Sequence, residues 1–148
     1  MHGFTLIELL VVLAIAAFIA ALTVPRLTGA TERAAVRAAA RELEAALRGA
    51  RSIAMAQGRP EALTIDTASG VFRQGSRVGR VPSGIHLAVT TTTGDRLDAQ
   101  TGRIRFFPDG TSTGGGIDVW AGYNRSQVLI DWLSGRVSIE EGSHASAR

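Results

Sequence analysis

Phe4–Val24 reads FTLIELLVVLAIAAFIAALTV, 21 residues with one charged side chain, Glu8. As an α-helix this run rises about 30 Å, the thickness of a bilayer's hydrocarbon core. Its apolar residues cover every side, so it is not an amphipathic surface helix. It is longer than the apolar middle of a cleaved secretory signal, and no basic residue precedes it. The pattern predicts a retained membrane anchor, with a buried core helix as its other reading. An unpaired carboxylate in lipid costs several kcal/mol, so Glu8 is expected either to do a job there or to sit shallow and reach the headgroups.

Outward from this run, Pro25 removes a backbone donor and predicts a kink or local break, with Thr28-Gly29-Ala30-Thr31 ending one helix and capping the next. From Glu32 to Gln57 the period is helical again: Val36, Ala40, Leu43, Leu47, Ala50 and Ala54 recur at alternating steps of four and three. The charged residues lie largely off that stripe, and Glu44 and Arg48 form a favourable i,i+4 pair. Gly58-Arg59-Pro60 stops the helix. Arg26, Arg33, Arg37 and Arg41 follow the apolar run, and the positive-inside rule alone would put that flank in the cytoplasm. The Arg33, Arg37, Arg41 column reads as a solvated face or an anionic-lipid contact, or else as a contact to a partner or nucleic acid.

After Pro60 the texture changes to short β-prone runs. Glu61–Asp66 and Val71–Gln74 flank Thr67-Ala68-Ser69-Gly70, a hairpin signal. Ile85–Thr92, Arg103–Phe107, Ile117–Trp120, Val128–Trp132 and Arg136–Ile139 are further predicted strands. Ile85, Leu87 and Val89 alternate with His86 and Ala88, which points His86 away from the core. The polar segment Gly94–Gly102 reads as a mobile connection. Phe107-Pro108-Asp109-Gly110 predicts a tight turn. The loop up to Gly116 has neither the Lys of a phosphate loop nor the alternating acids of a calcium loop, so the Asp109–Gly116 stretch reads as a strand connection. Trp120 and Trp132 are expected in the core or at an interface.

Composition narrows the chemistry. The chain has 148 residues, 45% of them hydrophobic, with a mean hydropathy of +0.15. All 16 basic residues are Arg against 13 acids, a formal charge of +3. With no Lys or Cys and one Tyr, little titrates between His and Arg, so the pI of 10.9 overstates a weak basic excess. The absence of cysteine excludes disulfide scaffolds, thiolate metal sites and cysteine nucleophiles. His2, His86 and His144 are scattered without ligand spacing. No catalytic residue, metal site or cofactor-binding loop emerges, and the expectation is a protein that is not an enzyme and carries no cofactor.

The string Gly3-Phe4-Thr5-Leu6-Ile7-Glu8 resembles the processing site of type IV prepilins and type II secretion pseudopilins. The C-terminal stretch Phe107–Gly116, with Asp131-Trp132-Leu133-Ser134-Gly135-Arg136-Val137, resembles the GspH/FimT branch of that family. The resemblance implies an α+β, pilin-like fold: a long N-terminal helix, transmembrane then amphipathic, packed on a C-terminal antiparallel β-sheet domain. It implies a short leader at residues 1–3, a transmembrane and filament-core helix at 4–25, an amphipathic helix at 26–58 and a periplasmic β-rich domain at 59–148. Prepilin peptidase would cut after Gly3 and methylate the new N-terminus at Phe4. The charged amine of Phe4 would then be neutralised by Glu8 of a neighbouring subunit, each charge making the other tolerable in poor solvent. The resemblance also turns the orientation round, with the N-terminus cytoplasmic and the globular part outside the inner membrane.

The function so implied is that of a minor pseudopilin, a structural subunit of the periplasmic pseudopilus in type II protein secretion. Its partners would be prepilin peptidase, the major and other minor pseudopilins and the inner-membrane secretion platform. The competing reading is a FimT-like minor type IV pilin that binds DNA during natural transformation. DNA-binding members are associated with a Gly-Arg-x-Arg pattern; here Gly135-Arg136-Val137-Ser138 lacks the second Arg, and Glu140 and Glu141 would repel phosphate.

Overall fold

The structure is a computed structural model that describes residues 5–142, with backbone only at 20–29 and 93. Among the described residues, one helix, α1, runs from Leu6 to Gln57, and eight strands follow: β1 Glu61–Asp66, β2 Val71–Gln74, β3 Arg77–Arg80, β4 His86–Thr90, β5 Thr101–Phe106, β6 Gly115–Ala121, β7 Asn124–Ile130 and β8 Val137–Gly142. The chain forms two compact units that divide between Glu32 and Arg33. The expected break at Pro25 and re-capping at Thr28–Thr31 are not found: α1 passes through both positions. One proline forfeits a single backbone bond, and the turns on either side keep theirs.

In the larger unit the strands form two antiparallel sheets, ordered β3-β2-β1-β5 and β4-β6-β7-β8. The β1–β2 hairpin turns where Thr67–Gly70 predicts it, and Asp66 Oδ1 accepts from the backbone of Ala68 at 2.9 Å and Ser69 at 3.1 Å. Alternation sorts the faces. Leu63 and Ile65 of β1 and Ile104 and Phe106 of β5 are buried, with Leu63 paired to Ile104 across the ladder. In the second sheet Ile117 pairs with Val128, and both are buried. His86 is exposed, as its place in the alternation predicts, and stacks on Trp120 with ring centroids 5.7 Å apart.

The amphipathic stripe of α1 closes this core. Val36, Ala40, Leu43, Leu47, Ala50 and Ala54 are all buried in one cluster with residues from both sheets, joined by Ala39. Alanines on this face let a helix approach a sheet closely, while the two leucines fill the wider gaps. Gln74 of β2, itself buried, uses that closeness: its amide donates to Ala46 O at 3.3 Å and accepts from Ala50 N at 2.9 Å. The Glu44–Arg48 pair forms at 2.7 Å, and α1 ends just before Gly58-Arg59-Pro60.

Two expectations need correction. Gly94–Gly102 is a fastened connection: it holds a 3-10 turn at Thr93–Asp95, and Asp95 is 3% exposed. Its carboxylate accepts from Arg103 Nε at 3.1 Å and Arg105 Nη2 at 2.6 Å, both on the wet face of β5. Trp132, with 65% of its surface exposed, lies outside the core and keeps the interface reading, while Trp120 is half-buried. β3 and the first half of β7 were absent from the predicted strands; β3 has no buried residue, so no alternation betrays it.

Candidate assembly site

Of the three residues of the implied processing and assembly site, Gly3 and Phe4 lie outside the described residues, as do His2 and His144. Glu8 lies in the first turn of α1. Its backbone N–H donates to Thr5 O at 3.1 Å and to Thr5 Oγ1 at 3.3 Å, so Thr5 and Glu8 stand in the T-x-x-E relation of a helix start. A carboxylate here also faces the positive end of the helix dipole. Glu8 makes no ion pair among the described residues. Around it every large apolar side chain is exposed, among them Leu6, Ile7, Leu9, Leu10, Phe18 and Ile19. Between Leu6 and Phe18, then, one carboxylate rides on a helix whose large apolar side chains are all exposed.

Leu6–Ile19 alone rises about 21 Å, short of a hydrocarbon core of about 30 Å. Among the described residues no helix is long and apolar enough to cross a membrane.

In the larger unit the two loops that carry the C-terminal resemblance meet. Asp109 Oδ1 accepts from Thr111 N at 3.0 Å and from Thr111 Oγ1 at 2.6 Å, and these bonds, the hydroxyl's first, hold its carboxyl below the ordinary range. Asp131 Oδ1 is engaged likewise by Ser134 N and Oγ, each at 2.7 Å, and its carboxyl is lowered chiefly by the Ser134 hydroxyl. Ser112 binds the loops together: its N–H donates to Trp132 O at 2.9 Å and its hydroxyl to Asp131 O at 3.0 Å. From α1, Arg51 Nε donates to Gly110 O at 3.1 Å and Arg48 Nη2 to Val137 O at 3.2 Å. The Asp109–Gly116 stretch is thus a structural corner, and no group of three or more His, Asp or Glu among the described residues is placed to hold a metal ion.

The arginine column is claimed from within. Arg37 Nη2 reaches Glu141 Oε2 at 2.6 Å and Arg33 Nη2 reaches it at 3.7 Å. Glu141 is lowered in pKa, first by its bond to Arg37 and then by the surrounding Arg charges. The Arg33 and Arg37 side chains, 61% and 41% exposed, thus lie on a solvated face and share an intramolecular pair to Glu141. Sequence reasoning missed Asp95, Gln74 and the anchoring role of Arg51. For Asp95 a signal existed: Arg103 and Arg105, two apart in a strand, share one face and call for a nearby acid.

Comparison with known proteins agrees with this geometry. Residues 39–134 match the family model described as "Type II transport protein GspH", and residues 1–24 match the "Prokaryotic N-terminal methylation motif". Type II secretion system protein H of Xanthomonas campestris pv. campestris is 32% identical over 138 residues, covering 93% of this chain and 82% of its own length. Among solved structures, the type IV minor pilin FimU of Pseudomonas aeruginosa superposes with a TM-score of 0.58 at 20% identity, covering 74% of this chain and 91% of that one. The minor pseudopilin EpsH from the type 2 secretion system of Vibrio cholerae does so with a TM-score of 0.56 at 10% identity, covering 72% and 96%. At such identities the two structures speak for the fold.

Proposed function

Because the chain belongs to the GspH family of type II transport proteins, we propose that its exposed apolar helix is the element by which it enters a filament. It is a minor pseudopilin, a structural subunit of the periplasmic pseudopilus of type II secretion. The finer reading concerns residues 3, 4 and 8. Prepilin peptidase removes Met1–Gly3 and methylates Phe4; Phe4–Val24 then holds the chain in the inner membrane as a single span, with the β-rich unit in the periplasm. On assembly the helix leaves lipid for the helices of the major and other minor pseudopilins, on the inner-membrane platform.

The observation that carries this reading is the exposed apolar surface of Leu6–Phe18 with Glu8 as its one carboxylate. Such a surface needs either lipid or other helices around it. In either surrounding Glu8 is costly alone, and a neighbour's Phe4 amine is the cation the processing chemistry supplies. No step of this role asks for catalysis, and the chain is proposed to act as a structural part and not as an enzyme. Mass spectrometry of the protein from cells with an active prepilin peptidase tests it. A mature chain beginning at N-methylated Phe4 is expected; Met1–Gly3 still attached would overturn the reading.

A further inference from the structure

Between the C-terminal turns of α1 and the β7–β8 turn lies a cleft of about 650 Å³, lined by Arg48, Arg51, Ser52, Ser134, Arg136 and Val137, with Gly135. Its wall carries three guanidiniums and no carboxylate. Glu44 pairs with Arg48 at 2.7 Å, and Asp131 is engaged by Ser134 and feels the charge of Arg136, but neither acid lines the cleft. Arg51 spends its Nε on Gly110 O, which orients the group without neutralising it. The Arg136 guanidinium makes no hydrogen bond among the described residues, and its residue is exposed. Beside the cleft the same turn presents Trp132 and Leu133, 65% and 63% exposed, and α1 presents Met55, 49% exposed.

We propose that this cleft docks an acidic segment of a neighbouring pseudopilin, a side-chain carboxylate entering between Arg51 and Arg136 while an apolar residue beside it covers Trp132 and Leu133. The inference rests on the filament reading above and adds a second, globular contact to the helical one. Guanidinium groups grip carboxylates in paired, charge-assisted bonds, and a planar group already held by a backbone carbonyl loses less freedom in doing so. Arg136 and an exposed Trp132 on one turn, with Leu133 and Met55 exposed nearby, match the composition of an interface anchor. Nucleic acid fits less well. It would need a row of cations along a backbone track, whereas the guanidiniums here converge on one cleft, and the strand that leaves it carries the exposed acid Glu140.

The chain has no cysteine, and Ser52 lines the cleft, is exposed, and its hydroxyl makes no hydrogen bond among the described residues. The full chain carrying Ser52→Cys, expressed in cells with a working type II secretion system, is labelled with a thiol-anchored photocrosslinker. Adducts are then identified by mass spectrometry. The expected adduct joins position 52 to a segment of another pseudopilin that contains Asp or Glu. Arg136→Glu added to the same chain lowers its yield at least tenfold, reversal of the partner's acid to Arg restores it, and Arg77→Glu on the distant edge strand β3 leaves it unchanged. Should Arg136→Glu fail to accumulate, Arg136→Gln reads the same contact. An adduct indifferent to Arg136, an adduct to DNA or lipid, or no adduct from a chain recovered in the pseudopilus would each overturn the docking site and leave the filament role standing. A wild-type chain absent from the pseudopilus would overturn the filament reading, and this inference with it.

Discussion

Gly135 sits so close over Gly110 that a Cβ built on it would lie 2.1 Å from the Gly110 carbonyl oxygen, the atom that also accepts the bond from Arg51. One oxygen thus records the meeting of α1, the Pro108-Asp109-Gly110 turn and the β7–β8 turn. Gly135 also has φ of +61°, a conformation that side chains other than glycine's adopt at a cost. Gly135→Ala should destabilise the full chain by about 2–4 kcal/mol, combining backbone strain with a forced separation of the two turns. Gly94→Ala, whose Cβ meets nothing within 4 Å, is the matched control and should stay within about 0.5 kcal/mol. Thermal unfolding in detergent compares them.

Asp95 is the acid on which two cations depend. Its side chain is 4% exposed, and those of Arg103 and Arg105 are 29% and 35% exposed. Asp95→Asn should cost about 2–3 kcal/mol, below the 3–5 of a fully buried broken pair because both guanidiniums retain some water. Equilibrium denaturation of the full chain measures it, and a loss under about 0.5 kcal/mol would mean that the connection does not rely on this acid.

The buried stripe makes α1 part of the domain core. Removal of residues 31–57 should leave the β-strands unable to fold, since Val36, Leu43, Leu47 and four alanines of the cluster go with it. Leu43→Ala or Leu47→Ala alone should cost about 2–4 kcal/mol. Removal of the apolar run without the stripe should give a folded, soluble unit. Amide exchange on the two truncations checks the contrast, and native-like protection in a fragment beginning at Pro60 would contradict it.

Acid should loosen specific corners. Asp66, Asp109 and Asp131 are lowered from 3.8, and Glu141 from 4.5, in each case first by a side-chain hydrogen bond: from Ser69, Thr111, Ser134 and Arg37 respectively. A carboxyl lowered in the folded state binds fewer protons there than in the unfolded state. Its contribution is therefore complete above the unfolded value and is lost as pH falls through the lower, folded one. Stability should decline below about pH 4. Glu141→Gln should remove its share of that decline while the pairing to Arg33 and Arg37 weakens at neutral pH. A pH series of melting temperatures on the wild type and Glu141→Gln reads both.

Glu8→Ala should leave the β-rich unit folded and stop the chain from entering the pseudopilus, because the amine it is proposed to meet loses its counter-charge. A broken pair of this kind, if fully buried, costs about 3–5 kcal/mol, a factor of hundreds or more in co-assembly. Recovery of the variant with the filament fraction at wild-type levels would remove Glu8 from the role proposed for it.

Much of this molecule is written in short-range periods. The apolar run with its one acid, the stripe from Val36 to Ala54 and the alternation in β1, β4 and β5 each repeat within a few residues, so a linear reading finds them. The two-sheet arrangement is not written that way. β5 returns past β4 to pair with β1, and β4 joins β6, pairings between segments far apart in the chain. β3 escapes notice because an edge strand with both faces wet has no alternation to show. The predicted mobility of Gly94–Gly102 failed for a related reason: polar composition tells that a segment can meet water, not that an arginine pair will take its acid inside.

The sequence by itself determined where this chain is apolar, the helical stripe and most of the strands, and that one carboxylate stands in the apolar run. Only the tertiary structure decided which distant acid these arginines meet: Arg37 and Arg33 with Glu141, Arg103 and Arg105 with Asp95. It alone also brought Arg48, Arg51 and Arg136 around one cleft. Helical and strand periods are set by bonds a few residues long, whereas a charge chooses its partner by distance through space, and that distance exists only once the sheets and helix have packed.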